Sequence, residues 1–398
     1  MTKLHFNYKD VFRALRLGFS AKKVWMAFLG LVCGLAGYSI LTYLAHAAAG
    51  SDFATVWAEY RLLPFADPFL YPFPWYSWVI YALGLLFFVC AMLLTGAAVS
   101  KVAYEQLRGD EFFESREAFR FAFRQWSSVL ASPLLVIGFA AVIVGLGVIA
   151  SLIAGIPWLG EVWLGIVALP GFFASLFVVY LLIVLLTSFL LGPSIVGATR
   201  NDTFDTVFEV FSCLNEQPAR LVLYVPTVAA LAKLGSALLA VAATAAGTIC
   251  YWTLRILPGD RLDDVLTNAA YYFNVTLPDW WPEPLRALFH GFVDWLGLSE
   301  AYILGDYVSI NWTSDVGSVL VALVLYVVAL MVVAFGCSIW FSGNTLVFAV
   351  LAKKKDDRNI LELPDDDELL APVVDVPGYK PGEEQPVAEK AAPEEAGS

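Results

Sequence analysis

Six long apolar runs constrain this chain more than any other feature. They cover residues 24–45, 78–99, 129–156, 163–191, 221–251 and 318–341. Each holds about the 20 apolar residues that a helix needs to cross a bilayer's hydrocarbon core. The expected fold is an all-α polytopic transmembrane bundle of six membrane helices.

Composition agrees. Only 15 % of the residues are charged and the mean hydropathy is +0.71, whereas a soluble domain carries about 25 % charge. The 398 residues therefore read as a transmembrane domain over 1–352 and a disordered acidic tail over 353–398. An aromatic-rich outer loop, 252–317, sits between helices five and six. The tail holds 13 acids and 6 bases, and so contributes −7 of the net −12. Nothing in that balance supports a nucleic-acid partner. Cys33, Cys90, Cys213, Cys250 and Cys337 are scattered, and His5, His46 and His290 are isolated. No metal or other cofactor is expected.

The first run has a rival reading as a signal peptide, since bases precede it and Ala45-His46-Ala47 resembles a cleavage site. Its apolar core spans about 22 residues, beyond the roughly 7–15 of a signal core, so an uncleaved helix is expected. Lys and Arg concentrate in alternate loops: Lys3 to Lys23, Lys101 to Arg124, Arg200 with Arg220, and Lys353 to Arg358. By the positive-inside rule both termini are cytoplasmic and the long loop is outside.

Three basic-side segments look alike: 10–19, 117–126 and 206–214, each within about ten residues of a membrane helix. Tyr8, Phe12, Leu15 and Phe19 share a helical face in the first. Phe119, Phe123 and Trp126 share one in the second, with Arg116, Arg120 and Arg124 opposite. Phe204, Phe208 and Phe211 align in the third. Such amphipathic helices lie in the membrane interface. The unit would be an interfacial helix followed by a hairpin, used three times, with Phe12, Phe119 and Phe208 equivalent. An internal repeat and a chance likeness among amphipathic loops both stay open, because the spacing between units is uneven.

The outer loop is rich in Trp and Tyr, which favour the headgroup region. It reads as a lid on the outer leaflet or as a binding cap, with a short helix over 283–298. The tail, including Asp365 to Glu368, cannot bury enough apolar surface to fold alone. Its stretch 369–376 is a docking candidate for a partner protein.

Motifs for chemistry are scarce. Gly192 to Thr199 has P-loop glycine spacing, but Ala198 stands where the phosphate-binding lysine belongs, and a membrane helix precedes it. Lys233 is the ionisable residue deepest in an apolar run. A charge at mid-bilayer costs at least about 2.5–3.5 kcal/mol on insertion scales. It either lines a polar cavity, contacts a lipid phosphate, or snorkels along an overlong helix. Arg116, Arg120, Arg124 and Arg200 are further candidates for lipid contact. Small residues at Ala232, Ser236, Ala240, Thr244 and Thr248 form a packing stripe. Pro193, Pro226 and Pro170-Gly171 are sites for bends.

The stretch Gly192-Pro193 to Arg220, with the charged segment 116–126, resembles a loose group of uncharacterised bacterial multi-pass membrane proteins. The organisation is similar to the membrane domain of some glycerophosphodiester phosphodiesterases, and the likeness covers about 101–224. It implies a bacterial inner-membrane location and carries no catalytic residues. Three functions follow as expectations. The first is a non-enzymatic scaffold, accessory subunit or lipid-handling protein, with membrane lipids as partners. The others are a transporter with a polar cavity near Lys233 and an enzyme on lipid-linked substrates.

Overall fold

The structure is a computed structural model that describes residues 5–68, 72–256, 260–273, 282–283, 286–287, 311–356 and 360–362. Regular structure among them is entirely helical: α1 (Tyr8–Val11), α2 (Ala14–Gly18), α3 (Ala21–Ala48), α4 (Phe53–Tyr60), α5 (Trp75–Arg108), α6 (Ser115–Arg124), α7 (Trp126–Ala154), α8 (Leu159–Thr199), α9 (Thr203–Glu216), α10 (Pro218–Leu254), α11 (Asp260–Phe273) and α12 (Trp312–Asp356). Residues as far as Leu361 form one contact unit and those from Glu362 a second. Of the expected helix over 283–298 only residues 283, 286 and 287 are described, all helical, and the tail from 363 lies outside the described residues.

Helices α3, α5, α7, α8, α10 and α12 are long and apolar enough to span a membrane. They run from 28 to 45 residues, about 42–68 Å at 1.5 Å per residue, against a core of about 30 Å. The excess lies where loops were expected. α5 continues through Lys101 and stops at Gly109, whose φ of 112° suits a residue without Cβ. α8 continues through Gly192–Thr199 and stops at Arg200, φ 55°. These extensions are buried by neighbouring helices: Val99, Val102, Ile195 and Val196 are all 1 % exposed or less. Burial of these apolar faces holds the chain helical beyond the apolar runs. Pro170, Pro193 and Pro226 sit inside continuous helices and divide none of them.

The short helices preceding the hairpins pack in a cyclic order. α6 lies on α5 and α3, the hairpin before it. α9 lies on α8 and α7, and α2 lies on α12 and α10, which closes the ring. The second helices α5, α8 and α12 pack on one another in all three pairs. Each carries glycine followed two residues on by a small residue: Gly96 and Ala98, Gly192 and Ser194, Gly343 and Thr345. The first helices are less regular. α3 reaches across to α12 and α7 to α5, but α10 makes no comparable contact with α8.

The short helices ahead of the hairpins bury small residues rather than aromatics. Val11 and Ala14, Ala118 and Ala122, and Val207 and Val210 face the bundle. Phe12, Phe123 and Phe208 are 51 %, 63 % and 68 % exposed. Two expectations need correction. Phe119 is half-buried against the core, so Phe123 takes the exposed place matching Phe12 and Phe208. Arg116, Arg120 and Arg124 are exposed together with Phe123, not opposite it; the side opposite belongs to Ala118 and Ala122, which a close α5 contact requires to be small.

At the other end, α4, the chain after it and α11 cover α3, α5 and α12. The Tyr326 hydroxyl donates to the carbonyl of Tyr272, 3.2 Å. The Arg61 guanidinium stacks 3.8 Å from the Tyr271 ring centre, joining the chain after α4 to α11. α11 was not expected from the sequence; its buried Ala269, Ala270 and Phe273 account for it.

Candidate functional site

The sequence-derived candidates separate into three environments. Arg116, Arg120 and Arg124 project from α6, exposed. Their spacing of four places them on one side of the helix. Phe123 lies among them, and Trp126, at the first turn of α7, is 58 % exposed. The result is a row of three guanidiniums with aromatic rings at the mouth of a membrane hairpin.

Arg200 is half-buried, and its guanidinium lies 5.7 Å from the centre of the Phe121 ring, on the inward side of the same α6. Beneath it is a charged cluster that sequence inspection missed. Lys101 and Glu105 on α5 form an ion pair one turn apart, with side chains only 2 % and 7 % exposed. Arg108 approaches Glu105 at 3.6 Å. The Lys101 ammonium also lies 5.2 to 5.9 Å from the ring centres of Tyr104, Phe121 and Phe113. A buried cation needs such compensation, because desolvation is expensive. Lys22 donates to the Phe113 carbonyl, 2.7 Å. The buried Lys23 donates to the Gln106 side chain, 2.8 Å, and to the Leu17 carbonyl at the end of α2. The basic residues here tie α2, α3, α5 and α6 together.

Lys233 is exposed on α10. The opposite side of the helix, with Val228, Ala232, Gly235 and Ser236, is buried. Among the described residues Lys233 therefore lines no cavity, and its long stem can carry the ammonium along the surface of the helix. The small-residue stripe is likewise split. Ala232, Ser236 and Ala240 are buried, with Ser236 Cβ 3.5 Å from the Cβ position of Gly336 on α12, while Thr244 and Thr248 are exposed.

Where α5, α8 and α12 meet, the interior is polar. Ser100 and Ser194 share a hydrogen bond of 3.2 Å, and Asn344 donates to the Leu190 carbonyl at 3.4 Å. The glycine–small spacing common to the three second helices is the sequence signal that could have located this junction. At the end of the bundle away from α6, the Tyr60 hydroxyl donates to Asp67 (2.8 Å) beside buried His46, which pairs with the Phe65 carbonyl (2.8 Å). This cluster fixes the loop between α4 and α5. Among the described residues no three His, Cys, Asp or Glu side chains come together as a metal site.

Taken together, these elements define a multi-pass helical membrane protein built of three hairpins, each introduced by a short amphipathic helix. No family model, curated protein or solved structure matches the chain.

Proposed function

We propose that this protein acts without catalysis, as a scaffold or lipid-handling component that gathers anionic phospholipid at the cytoplasmic leaflet of a bacterial inner membrane. One observation carries the reading: the exposed row Arg116, Arg120 and Arg124 with Phe123 among it. Guanidinium groups bind phosphate bidentately. A basic residue near an anionic leaflet contributes about 1 kcal/mol. Three together amount to about a hundredfold in affinity.

The location rests on the alternation of basic loops, which also puts both termini in the cytoplasm, and on the resemblance to bacterial membrane proteins. Membrane lipids are the first partner. A protein that docks on the acidic tail is the second. The exposure of Lys233 weighs against a transporter organised around that residue.

The test is the lipid carried through purification. Protein extracted from a membrane containing phosphatidylglycerol and phosphatidylethanolamine should be enriched in the anionic lipid. Changing Arg116, Arg120 and Arg124 to Ser should return the ratio to that of the bulk membrane. An unchanged enrichment in the triple variant would refute the proposal.

A further inference from the structure

The short helices ahead of the hairpins share one layout, at one end of the bundle. Two contacts link that end: Lys22 at the start of α3 donates to the Phe113 carbonyl ahead of α6, and Arg200 ahead of α9 lies 5.7 Å from the Phe121 ring centre. On α6 the three arginines span about 80° of the helix surface at 3.6 residues per turn. Phe123 stands at one edge of that row, and the buried Ala118 and Ala122 lie on the far side.

α1 and α2 repeat the layout. Phe12 and Arg13, between them, keep right-handed helical angles (φ −65° and −69°), so the two pieces stay in register. Lys9, Arg13 and Arg16 are all exposed, and their spacing puts them within about 60° of one another around the axis. Phe12 and Phe19, 51 % and 75 % exposed, flank them on one side, while Val11, Ala14 and Gly18 are buried opposite. Asp10 is 3.3 Å from Arg13 and offsets part of its charge. Lys9 and Arg16 make no ion pair among the described residues.

α9 keeps the layout and inverts the charge. Asp205, Glu209 and Glu216 fall within about 40° of one another, beside the exposed Phe204 and Phe208 and away from the buried Val207 and Val210. The helix has no Lys or Arg. One position on three corresponding helices therefore carries cations twice and carboxylates once. An anionic leaflet attracts the first and repels the second.

We infer that α1–α2 is a second site for the phosphate of an anionic phospholipid, with Lys9, Arg13 and Arg16 as its cations, and that its carboxylates bar α9 from the same ligand. The inference rests on the reading of the α6 row as a lipid site. Phe12 and Phe19 supply apolar contact beside the phosphate. The Asp10 carboxylate makes this site the weaker of the two.

The experiment counts phosphatidylglycerol on the full-length, detergent-purified protein by native mass spectrometry as the lipid is titrated, with phosphatidylethanolamine as reference. Wild type should fill two sites. Lys9→Ser with Arg16→Ser leaves the Arg13–Asp10 pair in place; it should weaken one site about thirtyfold, at about 1 kcal/mol per base, and spare the other. Changing Arg116, Arg120 and Arg124 to Ser should do the reverse. Asp205→Arg with Glu216→Arg should create a third site, a gain that misfolding cannot produce. Inorganic phosphate at millimolar concentration should not compete, and competition by it would overturn the assignment to lipid. A single wild-type site that disappears with the α6 arginines would overturn this inference and leave the proposed function standing. Binding indifferent to both basic sets would overturn both. Failure of the α9 variant to gain a site would show that charge is not what bars that helix.

Discussion

Gly197 on α8 lies directly against Ser100 on α5: a Cβ added to the glycine would stand 2.8 Å from Ser100 Cβ, 2.9 Å from the Ala97 carbonyl oxygen and 3.0 Å from the Lys101 amide nitrogen. Two of these atoms are helix backbone, so the contact cannot relax by a side-chain turn. The glycine that mimics a P-loop in the sequence is a helix-packing residue.

Gly197→Ala should therefore force α5 and α8 apart. Overpacking of this kind costs about 1–3 kcal/mol. The expected result is a lower unfolding temperature in detergent, followed by intrinsic fluorescence. Gly138→Ala, at a position with no atom within 4 Å, serves as the control and should leave it unchanged or raise it.

Lys101 and Glu105 should behave as an inseparable pair. Lys101→Ala leaves a buried carboxylate without its main partner, and a loss of about 3–5 kcal/mol is expected. Replacing both, as Lys101→Met with Glu105→Leu, should recover most of that loss, because two apolar chains remove both desolvation costs. A double-mutant cycle on thermal or denaturant unfolding measures the coupling. Additive losses would show that the pair is not coupled.

The arginine row should reveal itself through salt. Exposed charges are screened within about 8 Å at physiological ionic strength. Enrichment of anionic lipid on the wild-type protein should decline as sodium chloride is raised to about 1 M, where the screening length is about 3 Å. The Phe123→Ser variant should keep the salt dependence and lose part of the affinity, since it removes an aromatic anchor but no charge. Native mass spectrometry of bound lipid reads both.

Lys233→Leu should leave folding and lipid enrichment near wild type. The side chain is exposed, and surface substitutions away from caps and pairs fall within about ±0.5 kcal/mol. Comparison of unfolding temperatures checks this directly. A large loss would place Lys233 in an interaction made only in the bilayer or in an assembly.

Much of the architecture can be read from residue order. The six apolar runs give six long helices, and the amphipathic segments at 10–19, 117–126 and 206–214 become α1–α2, α6 and α9, each ahead of a hairpin. The inward faces of those short helices were harder to see. Aromatic periodicity marks the face pointing away from the protein, while the packed face is Ala118 with Ala122 or Val207 with Val210, residues too small to dominate a hydropathy pattern. The candidate site was half legible. Arg116, Arg120 and Arg124 stand out as charges at helical spacing. Lys101 and Glu105 look like loop charges, because only contact with Phe113 and Phe121, more than ten residues away in the chain, makes their position an interior one.

Hydropathy acts residue by residue, so the amino-acid order alone determined the solvent this chain chooses, the number of its long helices and the basic end of each hairpin. Which surfaces meet depends on atoms brought together from distant parts of the chain. Tertiary structure decided that each short helix seals the previous hairpin, that Lys233 faces outward while Lys101 is enclosed, and that Gly197 meets the backbone of α5. The physical reason is that close packing and burial of charge are properties of neighbours in space, and no local pattern encodes them.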